Sequence, residues 1–266
     1  MSSDNSTESA QQRTHLDEAS IAGGQKKEFG RGYNGSEIGR QTTYGGHVAQ
    51  NELHALPQYH RKSANAMPLG MFSFATTLLL LSLYNVGARG VSVPNGAVTF
   101  ALGFGGVTQL ASGMLEFASG NSYGATVFTS YALFWWGYAM LYIPFFGITG
   151  SYDGAPGAYT ATGQGALEVE AAFGIFFITW FSVSMVLTLA SIRSSIAVLV
   201  WIVAWDITLV LLAVSSWFPE MPKILTGAGA VGCVTSAAAY YVGLAGLLTK
   251  ESSYFLLPMG LLSRKD

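Results

Sequence analysis

The sequence predicts an all-α membrane protein, in which six transmembrane helices follow a polar N-terminal tail. Half of the 266 residues are hydrophobic and 11% are Asp, Glu, Lys or Arg, against about 25% in typical soluble domains. The charges are unevenly placed: residues 1–64 hold seven basic and seven acidic residues, whereas residues 65–262 hold only four basic residues. The chain therefore divides into a polar tail and an apolar body.

The tail, residues 1–64, is rich in Ser, Gln, Asn and Gly with mixed charge. It has too few apolar residues to form a core, and it lacks the apolar stretch and cleavage site of a signal peptide. We therefore expect residues 1–64 to be a disordered polar tail. Residues 65–250 are expected to form a transport domain of six helices, and residues 251–266 a short C-terminal tail.

Six apolar stretches are long enough to cross a bilayer as helices, since about 20 residues are needed. Most of the connections between them are short, so neighbouring helices should run antiparallel. The connection at 147–167 is longer and rich in Gly and Ala. The predicted spans are residues 69–87, 95–117, 125–146, 168–190, 195–218 and 224–248.

The basic residues near the membrane predict the orientation of the spans. If both termini are cytoplasmic, six basic residues lie on the inner side and only Arg89 and Lys223 lie on the outer side. Cytoplasmic loops carry an excess of Lys and Arg, so this bias favours a multi-pass protein with both termini inside. The inner set is Arg61, Lys62, Arg193, Lys250, Arg264 and Lys265.

The first span begins with residues 65–71, which read N-A-M-P-L-G-M. Asn65 is well placed as an N-cap, Pro68 is tolerated in a first helical turn, and Gly70 permits close approach of a helix or a solute. The free N–H groups of this turn could attract an anion, or the motif could serve capping and packing only. Further along the same span, Phe74 and Thr77 are candidates to face a path.

Four residues of the second span, Gln109, Ser112, Gly113 and Glu116, share one helical face because of their spacing. Polar groups are costly in lipid, so this stripe should face protein or a pore. Two interpretations are open from the spacing alone. The stripe lines a pore, or it forms hydrogen bonds to neighbouring helices.

In the third span, Thr129 and Ser130 precede Tyr131. Hydroxyls of Thr and Ser often bond back to their own helix, so they are weak signals. Tyr131 is a stronger candidate, because its ring can narrow a pore while its hydroxyl contacts a solute. In the fifth span, Asp206 follows Trp205, and an acid at such depth is either functional or bonded to a neighbouring helix.

Several kinds of function are disfavoured by what the sequence lacks. The net charge of −2 gives no electrostatic footprint for nucleic acid. The spans contain no His, and Cys233 is the only cysteine, so we expect no metal site, no hydrolytic Ser–His pair and no cofactor. A passage for a small solute fits better than an enzyme. With no cation in mid-span, an anion would depend on hydroxyls, amides and helix N-termini.

These motifs resemble the acetate uptake transporter family, which includes the bacterial succinate–acetate permease and fungal acetate- and ammonia-linked membrane proteins. The family signature N-P-A-P-L-G-L corresponds to residues 65–71, and its Y-G-G-x-x-Q-x-x-A-G-x-x-E pattern to residues 104–116. A G-N-T-F-G-like turn follows at 120–124, and a T-S-Y-G-x-F-W-like run at 129–135. The departures are Ala66, Phe104, Ala132, Trp205 and Asp206.

The resemblance implies a protomer of six helices with a central path, assembled as a homo-hexamer in the plasma membrane. It also implies that Phe74 and Tyr131 form an apolar constriction, with a third residue near Trp205. The implied function is transport of acetate and related short monocarboxylates, coupled to protons. Asn65 and the turn to Gly70 would receive the anion.

The remaining candidates would supply hydrogen bonds or handle protons. Hydrogen bonds would come from Thr77, Gln109, Thr129 and Ser130, while Glu116 and Asp206 are the proton-coupling candidates. One alternative function is transport of ammonia or ammonium, which Glu116 and Asp206 would attract. Another is a membrane acid sensor or scaffold that signals through its tail and carries no flux.

Overall fold

The computed structural model describes residues 64–91, 93–153 and 163–262. The predictions for residues 1–63 and for 263–266 lie outside the described residues. Seven α-helices make up the body, and no strand is found in the described part of the chain. They are α1 Met67–Asn85, α2 Ala97–Leu102, α3 Gln109–Ala118, α4 Ser122–Tyr142, α5 Gly163–Ser191, α6 Ile196–Trp217 and α7 Pro222–Leu247.

The six predicted spans are confirmed as helical segments, with boundaries shifted by a few residues. Helices α2 and α3 belong to one span, Pro94–Ala118, joined by a π-helical segment. Within the described residues, five spans are both long and apolar enough to cross a membrane. Helix α4 has 21 residues, about 30 Å, but its Ser, Thr, Tyr and Trp residues lower its mean hydropathy.

The spans form a ring in which α1 packs against both α7 and the second span. Helix α7 packs on α6, α6 on α5, and α3 on α4. The ring closes between α4 and α5 mainly through large side chains: the Phe134 ring lies 5.6 Å from that of Trp180 and 5.7 Å from that of Phe176. The interior of this ring is where a path would run.

Small residues bring α1 and α7 together, as expected in lipid, where close backbone contact drives helix association. Gly232 lies against Ser82, and a Cβ on Gly229 would stand 2.8 Å from the Ser82 carbonyl oxygen. A Cβ on Gly243 would meet Met71 and Phe72 at 3.0 Å. These glycines therefore serve packing.

The second span is not one continuous α-helix, because Gly103–Thr108 is π-helical. The wider turn allows the Trp136 indole to lie against Gly106 and to donate a hydrogen bond from Nε1 to the Leu102 carbonyl oxygen, 3.1 Å away. Such segments are often found at functional sites. Here the glycines make room for an aromatic side chain of the neighbouring helix.

Replacing Gly106 with alanine is expected to destabilise the protein by about 1–3 kcal/mol, as overpacked cores do. The new methyl group would overlap Trp136 Nε1 and lie 2.7 Å from the Ala101 carbonyl oxygen. Thermal unfolding of purified protein in detergent measures the effect. The matched control is Gly103→Ala in the same segment, where the added Cβ would point into open space. Equal unfolding temperatures for the two variants would contradict the packing explanation.

The C-terminal segment, described as far as residue 262, pairs with the start of α6 instead of leaving the body at residue 250. The N–H groups of Ile196 and Ala197 donate to the carbonyl oxygens of Gly260, 2.9 Å away, and Met259, 3.2 Å away. The first turn of a helix has no intrahelical acceptors for such groups. The segment therefore helps to cap α6.

Candidate functional site

A group of aromatic side chains fills the centre of the helix ring. We call it the aromatic cluster, and it consists of Phe74, Tyr131, Trp135, Trp201 and Trp205, all at most 2% exposed. The Phe74 ring is at its middle, with its centroid 5.6 Å from Tyr131 and 6.2 Å from Trp135. Its distances to Trp201 and Trp205 are 5.4 and 5.0 Å.

The three residues expected at a constriction come together in this cluster. The Tyr131 and Trp205 rings lie 5.9 Å apart, and each is in contact distance of Phe74. Because these rings pack against one another, the centre is closed at this level. The path expected from the sequence is therefore occluded here in this conformation.

A cavity of about 410 Å³ lies on one side of the aromatic cluster. We call it the vestibule; it opens where the connections α1–α2 and α6–α7 lie. Tyr138 is in its wall, and the Tyr138 ring lies 6.2 Å from that of Trp135, so this part of the wall adjoins the cluster. Glu170 is its one charged residue among those described. Other lining residues include Leu81, Asn85, Tyr142, Phe177, Leu212 and Ser216.

Polar atoms without partners are concentrated around the cluster. Gln109 is fully buried, and neither its Oε1 nor its Nε2 has a hydrogen-bond partner in the described part of the chain. The indole nitrogens of Trp135, Trp201 and Trp205 are likewise buried and unpaired. Each such group destabilises the fold by about 1–3 kcal/mol. This pattern is typical of a site that a ligand or a water molecule completes.

Gln109 lies on the face of the second span that packs against α1 and α4. One turn before it, a Cβ on Gly105 would stand 2.8 Å from both Thr77 Oγ1 and the Trp135 ring. One turn after it, a Cβ on Gly113 would stand 2.6 Å from Thr129. The buried stripe is thus on the interior side of the span, next to the helices that carry Phe74 and Tyr131.

The predicted hydroxyl ligands are mostly bonded to their own helices. Thr77 donates to the Ser73 carbonyl oxygen at 2.8 Å, and Thr129 donates to that of Ala125 at 2.7 Å. Ser130 is half-buried. Tyr131 differs, because its hydroxyl forms a 2.9 Å hydrogen bond to Ser184 of the neighbouring helix α5.

The motif at the start of α1 is held to other helices. The N-cap is Ala66, so the prediction of Asn65 is wrong by one residue. The Asn65 side chain still accepts a hydrogen bond from the Met67 N–H at 3.2 Å, and it donates to the Gly246 carbonyl oxygen at 3.0 Å. A Cβ on Gly70 would stand 2.7 Å from Phe128 and from Ser112 Oγ, so this glycine permits helix packing.

Glu116 lies at the turn between α3 and α4, away from the aromatic cluster. Its carboxylate accepts a 2.6 Å hydrogen bond from Asn121 Nδ2, and Asn121 Oδ1 accepts the Gly124 N–H that begins α4. Glu116 therefore holds the Asn121 side chain in the position from which it caps the N-terminus of α4.

Asp206 lies between α5 and α6, in a groove at the outer side of the helix ring. It is 6% exposed; Oδ2 accepts a 2.7 Å hydrogen bond from Thr188, and Oδ1 has no hydrogen-bond partner among the described residues. The rest of the groove is apolar and includes Phe181, Met185, Val203, Ile207, Val210 and Leu211. The adjacent Trp205 faces the centre. Trp205 and Asp206 therefore lie in different environments, the aromatic cluster and the groove.

Three residues of this region were not expected from the sequence: Trp135, Trp201 and Ser184. Two of them had a usable signal, because Trp135 follows Tyr131 by four residues and Trp201 precedes Trp205 by four. Such pairs share a helical face. Ser184 had no comparable signal, since it lies on a span that was aligned to no motif.

Known proteins similar to this chain include three curated relatives. Acetate permease A of Emericella nidulans is 34% identical over 205 residues, covering 75% of this chain and 66% of the relative. The glyoxylate pathway regulator of Yarrowia lipolytica is 36% identical over 200 residues, covering 75% and 70%. Ammonia transport outward protein 2 of Saccharomyces cerevisiae is 30% identical over 196 residues, covering 74% and 66%. The chain thus spans about two thirds of the length of these relatives.

A solved structure and a family model cover the same region. The bacterial acetate channel SatP matches with a TM-score of 0.61 at 23% identity, over 74% of this chain and 99% of that chain, which supports the fold. Residues 45–264 match the family model described as GPR1/FUN34/yaaH. With that match over most of its length, the chain belongs to the GPR1/FUN34/yaaH family.

Proposed function

We propose that this protein transports acetate and related short monocarboxylates across the plasma membrane together with protons. Relatives named acetate permease A and acetate channel SatP support the substrate class. The observation that carries the proposal is the set of buried, unpaired polar atoms in the aromatic cluster and on the second span beside it. It contains the donors Gln109 Nε2 and three indole N–H groups, but only one unpaired acceptor, Gln109 Oε1.

An excess of donors suits a carboxylate, whose two oxygens accept several hydrogen bonds. A neutral set of donors also binds an anion more weakly than a buried Lys or Arg would, which favours release as well as entry. Phe74, Tyr131 and Trp205 would then separate the vestibule from the opposite side of the membrane. Gln109 would contact the solute, with Thr77, Thr129 and Ser130 beside it.

The vestibule gives a reason for proton coupling. Glu170 is its one charged residue among those described, and no Lys or Arg lines it. An ionised Glu170 repels a carboxylate anion, whereas it does not repel the neutral acid. Entry as the neutral acid brings one proton with each carboxylate, and acid conditions increase the fraction in that form.

We further propose the assembly and orientation that the resemblance and the basic residues indicate. The proposed assembly is a homo-hexamer, and both termini are proposed to be cytoplasmic. In that orientation the vestibule opens to the outside, and the motif from Asn65 to Gly70 lies at the inner mouth. In that turn the Met67 and Gly70 N–H groups are bonded to Asn65 Oδ1 and to the Ala66 carbonyl oxygen, and Pro68 has no N–H, so attraction of the departing anion would rest on the Leu69 N–H.

Uptake of labelled acetate into vesicles containing the full chain tests the proposed function. We expect uptake about tenfold above that of protein-free vesicles, and faster with an acidic than with a neutral exterior. Uptake equal to that of protein-free vesicles at both pH values rejects acetate transport.

Ammonium is the second candidate, because Glu170 in the vestibule would attract a cation and one relative is named for ammonia transport. Competition distinguishes the two solutes. Unlabelled propionate should reduce labelled acetate uptake, whereas methylammonium should leave it unchanged. Labelled methylammonium that accumulates in the vesicles without any acetate uptake favours the second candidate.

A further inference from the structure

We propose that Asp206, although it lies outside the aromatic cluster, receives the proton of the carried acid through a relay formed by Tyr131 and Ser184. This inference rests on the proposed transport of monocarboxylates and adds a route for the proton. It starts from two facts about the groove: Asp206 is nearly fully buried, and its Oδ1 has no hydrogen-bond partner in the described part of the chain.

The relay is visible as a row of hydroxyl groups between the centre and the groove. Tyr131 in the aromatic cluster is bonded to Ser184 at 2.9 Å, and either oxygen can be the donor. Ser184 lies beside the Asp206 carboxyl group. Thr188, one helical turn further along α5, donates to Oδ2 at 2.7 Å. Tyr131 and Ser184 thus lead from the centre toward the carboxylate, and the last step requires Ser184 Oγ to come within hydrogen-bond distance of Oδ1, which has no partner among the described residues in this conformation.

The direction of these hydrogen bonds depends on whether Asp206 is ionised. With an ionised carboxylate, Ser184 can donate to Oδ1 and Tyr131 donates to Ser184, so the Tyr131 proton points away from the centre. With a proton on Oδ1, Asp206 donates to Ser184 and Ser184 donates to Tyr131. The Tyr131 O–H is then available to a carboxylate in the centre.

Proton transfer along this row balances. The carboxylic acid gives its proton to the Tyr131 oxygen, Tyr131 passes its own proton to Ser184, and Ser184 passes its own to Asp206 Oδ1. One O–H bond breaks and one forms at each hydroxyl. The result is a carboxylate that accepts from Tyr131 and a neutral Asp206. Proton binding and anion binding thereby support each other, which is the condition for coupling.

Other titratable groups near Asp206 do not offer the same connection. Tyr123 interacts with Asp206 electrostatically, but its hydroxyl donates to the Leu187 carbonyl oxygen at 3.3 Å. Glu170 lines the vestibule at the start of α5. The remaining titratable groups on helices packed against α6 are Tyr84, Tyr138, Tyr142, Glu168, Lys223, Cys233, Tyr240 and Tyr241. None of these lines the groove that holds Asp206.

Two variants test the relay by the pH profile of acetate uptake. In Asp206→Asn the amide can donate to Ser184 but cannot take up a proton, and Ser184→Ala interrupts the row. We expect the wild-type protein to show about tenfold faster uptake at acidic than at neutral external pH. Both variants should reduce this ratio to less than about twofold while still exchanging labelled for unlabelled acetate.

The matched control is Ser182→Ala, which removes an exposed hydroxyl of the same helix that donates to the Thr179 carbonyl oxygen at 2.6 Å. It should keep the wild-type profile. A wild-type profile in Asp206→Asn or Ser184→Ala overturns the relay and leaves the proposed transport intact. Absence of acetate uptake in the wild-type protein overturns both.

Discussion

Replacing Phe74 with alanine is expected to let larger monocarboxylates through. The Phe74 ring touches four other rings at centroid distances of 5.0 to 6.2 Å and is completely buried. Tyr131 is tied to Ser184 by a hydrogen bond, so it is not free to move fully into the gap. A phenyl-sized void would remain where the centre is now closed.

The ratio of labelled benzoate to labelled acetate uptake measures this change. We expect it to rise about tenfold in Phe74→Ala, since removing a steric barrier of only about 1.4 kcal/mol has that effect. Loss of a core Phe typically destabilises a protein by about 3–5 kcal/mol. Phe74→Leu should therefore be measured in parallel, because it leaves a smaller void and should raise the ratio less.

Phe72→Ala is the matched control for Phe74→Ala. Phe72 lies on the same helix but is half-buried, and its ring lies 6.0 Å from Tyr240, away from the aromatic cluster. Its removal should leave the benzoate ratio unchanged. An unchanged ratio in folded Phe74→Ala would show that the barrier to larger acids lies elsewhere.

The helices and the meeting of Phe74, Tyr131 and Trp205 could be predicted from the sequence for different reasons. The spans follow from length and hydrophobicity, which are local properties. The meeting of the three rings was expected only from the family resemblance, because residues on α1, α4 and α6 have no local relation to one another. That three indole N–H groups are buried without partners follows only from the packing of these three helices.

Asp206 shows what periodicity cannot decide. Successive residues of an α-helix point about 100° apart, so Trp205 and Asp206 could not both face the centre. The sequence contains no signal for which of them does so. In the structure the ring faces the centre and the acid faces α5, where Thr188 and Ser184 are available to it. The environment of Asp206 depends on α5, a helix in which the sequence contains no recognised motif.

The polar stripe of the second span also shows that helical spacing alone does not reveal what a side chain contacts. Its members do share a buried face, as the spacing predicted. Their partners differ, however: Ser112 donates to the Ala66 carbonyl oxygen at 2.7 Å, and Glu116 accepts from Asn121. Among these described residues, only Gln109 has buried side-chain atoms without a hydrogen-bond partner. The two interpretations left open by the spacing therefore apply to different residues of one stripe.

This difference predicts opposite responses to substitution within the stripe. Gln109→Leu exchanges an unpaired carboxamide for an apolar group of similar size, so it should raise the unfolding temperature or leave it unchanged. The same change removes a donor and an acceptor from the centre. We expect it to slow acetate uptake about tenfold or more. Thermal unfolding and labelled uptake on the same preparation measure the two effects.

Ser112→Ala is the control, because this hydroxyl already has a structural partner. Its loss leaves the Gly70 N–H, 3.2 Å away, as the remaining donor to the Ala66 carbonyl oxygen, and should lower stability by about 1 kcal/mol, with uptake close to that of the wild-type protein. A polar residue with a purely structural role should respond to substitution as Ser112 does. If Gln109→Leu is less stable and transports normally, Gln109 has a structural role. Higher stability together with lost transport is the combination expected of a group that the fold tolerates because the solute uses it.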